Sequence, residues 1–300
     1  MARITDYLKP GELATIKNLQ LLAKQVVEGF ISGIHRSPYK GVSIEFAQHR
    51  DYVHGDEIRR VDWKVYARSD RLCVREYEEE TNLRATILLD SSGSMAYGGE
   101  GRLSKHEYAL RLAAAMSYLL LRQGDSVGVI TFDTAMRKFI PPRSNEGHLR
   151  QVLEVMVDSP PGGETSLGRA FHALVPLIKR RGVVMILSDG FGDTEELVKA
   201  LAHFRSARHE VIFFHILDPD EAEFPFRDWT RFESLEAPGQ FRKVDPLSFR
   251  AAYLENFQRF EAGLRRGCRR NRVELVPLRT DEPFDKALAK YLDRRNKVVS

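Results

Sequence analysis

Asp90, Ser92 and Ser94 stand at alternate positions directly after the apolar run Ala85–Leu89. In an extended turn alternate side chains project to one side, so this spacing gathers a carboxylate and two hydroxyls. Two later segments have the same character. "PGGETSLG" places Thr165 at the start of a helix, and "VVMILSDG" places Asp189 directly after an apolar run. Asp90, Ser92, Ser94, Thr165 and Asp189 together make an all-oxygen set of two carboxylates and three hydroxyls. Such a set suits a hard cation such as Mg²⁺, which takes six oxygens at about 2.0–2.1 Å and keeps some water. It suits zinc poorly, since no Cys or His belongs to it. Each piece alone has an ordinary explanation: a turn with capping hydroxyls, an N-cap, a strand-end acid. Their joint occurrence after successive apolar runs favours the metal reading.

The elements that must position these groups alternate from Ala85 onward. "ATILLD" is β-rich, and Ser104 with Glu107 reads as a capping box opening a helix. Leu110, Ala113, Ala114, Ser117 and Leu121 mark one face of that helix, which stops at Gly124. "SVGVITF" and "RKFI" are the next strands, and "EGHLRQVLEVMV" is a helix. The helix "SLGRAFHALVPLIKRRG" has Leu167, Ala170, Phe171, Leu174 and Ile178 on one face, and Pro176 should kink or shorten it. "GVVMILSD", a helix over Asp193–Arg205, and "EVIFFHILDP" follow. A hairpin is expected near 224–246, a long helix over about Ser248–Arg270, a strand in "RVELVPLRT" and a closing helix near Pro283. Strands apolar on both faces and separated by amphipathic helices indicate a doubly wound, mostly parallel α/β sheet flanked by helices. In such sheets ligands bind beyond the carboxyl ends of the strands.

Residues 1–84 read as a separate N-terminal segment packing on the 85–300 domain. A helix from Lys9 or Pro10 to about Phe30 leads into a stretch dense in Arg, Asp, Tyr and Trp. Arg50, Asp56, Arg59, Asp62, Trp63 and Arg68 form a charged network there. It reads as structural fastening, with Trp63, Tyr52 and Phe46 as apolar material to bury, or alternatively as a second docking surface.

D-x-S-x-S followed by Thr165 and Asp189 resembles the metal-ion-dependent adhesion site of von Willebrand factor type A domains. "SPYKGVSIEFAQHRDYVHGDEIRRVDWKVYAR" is similar to the signature of the bacterial "domain of unknown function 58" family, and the similarity runs from about Leu19 to the C-terminus. The resemblance implies a von Willebrand A or Rossmann-like domain with a metal at the top of its sheet, Mg²⁺ or else Mn²⁺ or Ca²⁺. Ser92, Ser94 and Thr165 would give direct or near-direct oxygens, and Asp90 and Asp189 would act directly or through water. An acidic side chain of a partner protein would complete the shell, with Ser91, Gly163, Glu164 and Gly190 forming the partner-binding rim. Family members are often encoded beside AAA+ ATPases of the MoxR type, which implies an adaptor or assembly factor working with such an ATPase.

No catalytic residue is expected. The chain has no G-x-x-x-x-G-K-[ST] phosphate loop and no G-x-S-x-G elbow. A metal-dependent phosphoester hydrolase using Asp90 is the rival, although position 92 is Ser rather than a second acid. The 300 residues carry 46 Lys and Arg against 42 Asp and Glu, net +4, too small a surplus to argue for nucleic acid. Arg265, Arg266, Arg269, Arg270 and Arg272 are the one basic group a nucleic-acid module would use; a solvated helix end explains them as well. Two cysteines, far apart, fit a reducing compartment. With no signal peptide and no membrane-length apolar run, a cytoplasmic location is expected.

Overall fold

In a computed structural model of the chain, residues 44–53, 56, 61–79, 83–145, 147–164, 166–237 and 239–299 are described. They fall into two compact units, one with described residues up to Leu83 and one beginning at Arg84.

The run after Arg84 forms a strand because nothing in it needs water. β3 (Arg84–Asp90) buries every side chain beyond its first, and each buried Leu or Ile is worth about 1.5–3 kcal/mol. β4 (Ser126–Phe132), β6 (Val183–Ser188), β7 (Glu210–Leu217) and β10 (Glu274–Arg279) join it in parallel. β5 (Met136–Arg143) is the antiparallel edge, in the order β10-β7-β6-β3-β4-β5. It runs longer than "RKFI" and contains Pro141 and Pro142, which an edge strand tolerates because one side of it needs no donors.

Helices cover both faces of the sheet. α2 (Lys105–Arg122) packs with α3 (His148–Val157) and α8 (Phe284–Val299). α4 (Leu167–Leu174) and α5 (Thr194–Ser206) pack together, and α7 (Pro246–Arg270) lies on α5. This is the doubly wound, mostly parallel α/β class that the sequence indicates. Pro176 ends α4 as expected, since the chain tightens to a 3₁₀ turn over Val175–Leu177.

One helix face needs correction. Leu110 and Leu121 are only half-buried, whereas Ala109, Leu112, Ala113, Met116 and Leu120 are deeply buried. α2 is covered by the sheet and by neighbouring helices, so its apolar surface runs most of the way round. The Ser104 cap forms, with its Oγ accepting from the Glu107 N–H at 3.1 Å. Glu107 turns to Arg111 instead of reaching back.

On the α4/α5 face, Phe171 packs edge-on against both Phe132 and Phe204, at 5.3 and 5.7 Å between centroids. Phe171→Ala should cost about 3–5 kcal/mol by removing a fully buried ring. Urea unfolding that moves the midpoint with the slope unchanged would verify it.

The N-terminal unit pairs β1 (Ile44–Asp51) with β2 (Cys73–Glu79), antiparallel and bulged between Phe46 and Gln48. α1 (Trp63–Ser69) is N-capped by Asp62, whose carboxylate accepts from Lys64 N–H at 3.0 Å. Asp56 accepts from Val53 N–H at 2.9 Å. These acids thus have local backbone roles. Trp63 opens α1, stands edge-on to Tyr66 and is 55% exposed. Arg68 is exposed in the last turn of α1, where a cation favours the helix dipole. Arg59, the side chain of Arg50 and the expected helix near Lys9–Phe30 lie outside the described residues.

Candidate metal centre

Strand order reverses direction at β3. The chain leaves β3 toward β4 on one side, and after α4 it returns to β6 on the other. The loops after β3 and β6 therefore part at the sheet's switch point, where open α/β sheets hold ligands. Asp90 ends β3 and Ser188 ends β6, and the two meet: Ser188 Oγ donates to Asp90 Oδ2 at 2.6 Å. The other oxygen, Oδ1, accepts from the Ser92 N–H at 2.9 Å. Ser92 Oγ lies 3.2 Å from Ser94 Oγ. Asp90, Ser92 and Ser94 thus form one cluster, as their alternate spacing predicts.

Asp90 is wholly buried. Burial and, second, the nearby Asp189 carboxylate push its pKa up to about 7, against the Ser188 and Ser92 hydrogen bonds. An interior that resists a lone carboxylate, beside two hydroxyls, suits a cation. The donor set therefore fits a hard divalent ion. Among the described residues no group of three His, Cys, Asp or Glu side chains forms a metal cluster. Thr165 lies outside the described residues.

Asp189 is reached by a residue that no local pattern singles out. Lys105, fully buried in the first turn of α2, donates from Nζ to Asp189 Oδ2 at 2.7 Å and also to Glu221. Burial works against its charge, but the two carboxylates together hold its pKa above the ordinary lysine value. Burial is the larger influence on Glu221 and leaves its carboxyl above the usual range even with Lys105 against it. The other Asp189 oxygen accepts from Phe191 N–H at 3.1 Å. The Asp189 carbonyl accepts from His215 Nε2 at 2.8 Å, and burial lowers the His215 pKa to about 4, so the ring is a neutral donor. Histidine inside the apolar run "VIFFHIL" was the legible signal for that contact.

The expected rim divides. Gly163 and Glu164 are exposed, but Ser91 and Gly190 are buried, which corrects their assignment to a partner surface. Ser91 alternates away from Asp90 and Ser92. Its N–H donates to Phe132 O at 2.7 Å and its carbonyl accepts from Gly162 N–H at 3.0 Å, which ties the loops together. Gly190, at φ +70°, makes the turn that left-handed backbone requires. Gly93 admits no side chain, because a Cβ would lie 2.3 Å from Leu235 O and 2.8 Å from Gly163 O.

A second polar knot fastens the loop leading into α2. Asp218, at the end of β7, accepts from Arg102 at 2.9 Å, from Thr280 Oγ1 at 2.7 Å and from Gly99 N–H at 3.1 Å. Burial would raise this carboxyl, but those donors and the Asp220 N–H hold it below its usual value. The stabilisation is complete above the unfolded pKa and fades as pH falls through the lower folded value. Asp218→Asn should therefore lose about 1.5–3 kcal/mol at neutral pH. It should also show a shallower loss of stability below about pH 4 than the parent. Urea titrations at pH 7 and pH 3.5 measure both effects.

Two antiparallel strands, β8 (Thr230–Glu233) and β9 (Phe241–Val244), form the hairpin expected near 224–246. The five C-terminal arginines, Arg265, Arg266, Arg269, Arg270 and Arg272, are exposed at the end of α7. Cys73 and Cys268 are both buried and free.

Sheet order, helices on both faces and polar loops meeting at the switch point define a doubly wound, mostly parallel α/β domain. The chain belongs to the DUF58 family, proteins of unknown function, whose model matches residues 48–262. An uncharacterised protein of Mycobacterium tuberculosis is 29% identical over 306 residues, covering 97% of this chain and 92% of its own. Among solved structures, BatB from Bacteroides thetaiotaomicron is 17% identical with a TM-score of 0.44, covering 72% of this chain and 99% of its own. The SpRpn10 VWA domain is 13% identical with a TM-score of 0.39, covering 69% and 94%. Among the described residues no helix is long and apolar enough to cross a membrane.

Proposed function

We propose that the chain is a non-enzymatic, metal-dependent protein-interaction module, a cytoplasmic adaptor or assembly factor working with a MoxR-type AAA+ ATPase. The observation that carries this reading is the buried Asp90 carboxylate meeting Ser92 and Ser188, with Ser94 Oγ against Ser92 Oγ, where the strand-end loops diverge. Ser92, Ser94 and Asp90 would hold the cation, with Thr165 and Asp189 completing the shell. Bound Mg²⁺, or Mn²⁺ or Ca²⁺, would supply hard positive charge with a coordination position for one carboxylate oxygen. Gly163 and Glu164 lie exposed beside it for a partner to touch. Lys105 and His215 hold Asp189 in place through its carboxylate and its carbonyl.

The hydrolase reading has less support. Two residues beyond Asp90 stands Ser92, where an aspartyl nucleophile would call for a second acid. The adaptor reading is tested by immobilising wild type and Asp90→Ala and offering a purified MoxR-type ATPase and native lysate, with Mg²⁺ or EDTA. Proteins retained only by wild type with Mg²⁺ support it. Equal retention in every arm moves attention to the Arg50–Arg68 segment, and phosphoester turnover that Asp90→Ala abolishes favours the hydrolase. Binding that falls steeply with salt but ignores EDTA favours nucleic acid at the C-terminal arginines.

A further inference from the structure

Beside the cradle the chain builds something that a metal site alone does not need. After β7 a short helix, α6 (Pro219–Glu223), ends at Phe224, which adopts φ +47°. That left-handed turn is costly for a bulky residue and is braced on two sides. Arg250 donates to the Phe224 and Glu223 carbonyls at 3.1 and 2.9 Å, and Tyr253 Oη donates to Glu221 O at 2.9 Å. The turn sets Phe224 against Tyr253 at 4.5 Å, Phe226 at 5.2 Å, Phe249 at 5.3 Å and Phe232 at 5.9 Å between centroids. These five rings line one wall of a groove of about 910 Å³.

The groove runs to the cradle itself. Ser94 lines its far end, and the Leu235 carbonyl rests against Gly93 so closely that no side chain fits between them. A concave site walled by aromatic rings with a few polar groups at its edge is the usual form of a binding site. The groove's volume is at the upper end of the ~300–1,000 Å³ of ligand sites. Ser94 is shared between the groove and the cradle, which suits a side chain carried close to the acid that the cradle would take. The floor acids do not repel such a guest, because Asp220 is paired with Arg102 and Glu221 with Lys105.

We propose that this groove takes a bulky apolar side chain from an extended segment of a partner protein, a few residues from the acidic side chain that meets the Asp90–Ser94 cradle. The cradle supplies the requirement for an acid, and the aromatic wall supplies the choice among acids, as buried anchors do at interface centres. This rests on the metal-dependent reading above.

The test pans random 12-residue peptides on phage against the full chain in Mg²⁺, with EDTA elution. The expected pool pairs Asp or Glu with Phe, Trp or Leu at a constant short spacing. A synthetic peptide from that pool should bind at least tenfold more weakly to Phe232→Ser, which opens the wall, and to Val244→Trp, which fills the groove. Both variants should keep the Mg²⁺-induced thermal shift of wild type, which separates the groove from the cradle. A pool sharing only an acid, with its peptides binding both variants like wild type, overturns the groove and leaves the cation reading standing. Apolar peptides that ignore EDTA and Asp90→Asn overturn the cation reading and the proposal together. No enrichment over an Asp90→Asn control also overturns the proposal, as does a concentration-dependent dimer, lost in Val244→Trp, in which a second copy fills the groove.

Discussion

Asp90→Asn should abolish stabilisation by Mg²⁺ while leaving the protein in EDTA at least as stable as the parent. The two effects have opposite causes at one atom pair. Without a cation, the buried carboxylate is disfavoured by its surroundings and by Asp189, which is why its pKa is raised. Asparagine removes that charge and keeps the geometry. Its oxygen still accepts from Ser92 N–H, and its amide faces Ser188 Oγ, which accepts in place of donating. With Mg²⁺ at a hundred times its Kd, the parent gains about 2.7 kcal/mol. For a unit this size that is a rise of several degrees in Tm, and the variant should show none of it. Differential scanning fluorimetry with and without EDTA reads both arms. A parent that ignores Mg²⁺, or a variant that gains as much as the parent, would refute the assignment.

The second large effect is at Lys105. Lys105→Met keeps most of the side-chain volume but leaves Asp189 and Glu221 facing each other without the ammonium between them. Removing one partner of a buried ion pair costs about 3–5 kcal/mol, because the remaining charge is stranded. The expected fall in Tm is on the order of 10 °C. Adding Glu221→Gln should recover part of the loss, since one of the two stranded charges disappears, and a double-mutant cycle measures the coupling. Equal losses in the single and double variants would mean that Lys105 acts through packing alone.

The fold was legible because its signals are local. β3, β6 and β7 are apolar on both faces, and only a parallel sheet covered by helices satisfies such runs. Pro176 and the Ser104 cap act within one turn, so they could be placed from neighbours in sequence. The alternate spacing of Asp90, Ser92 and Ser94 was legible for the same reason. Lys105, Glu221 and Asp218 were not. Lys105 reaches Asp189 across 84 positions and Arg102 reaches Asp218 across 116, and no local pattern encodes such pairings. Asp218 did leave a trace, as a third acid at the end of an apolar run in "HILDP". The aromatic wall was hidden because its rings come from the turn after α6, from β8 and from α7, with no periodicity joining them. Ser91 and Gly190 were misplaced as rim residues because adjacency in sequence does not say which way a strand end faces.

The most direct measurement is anomalous diffraction from crystals of the full chain grown with Mn²⁺, which scatters where Mg²⁺ does not. One strong peak is expected among the side-chain oxygens of Asp90, Ser92 and Ser94, absent from Asp90→Asn crystals grown the same way. Mn²⁺ found only elsewhere, or an unchanged peak in the variant, would contradict the cation assignment.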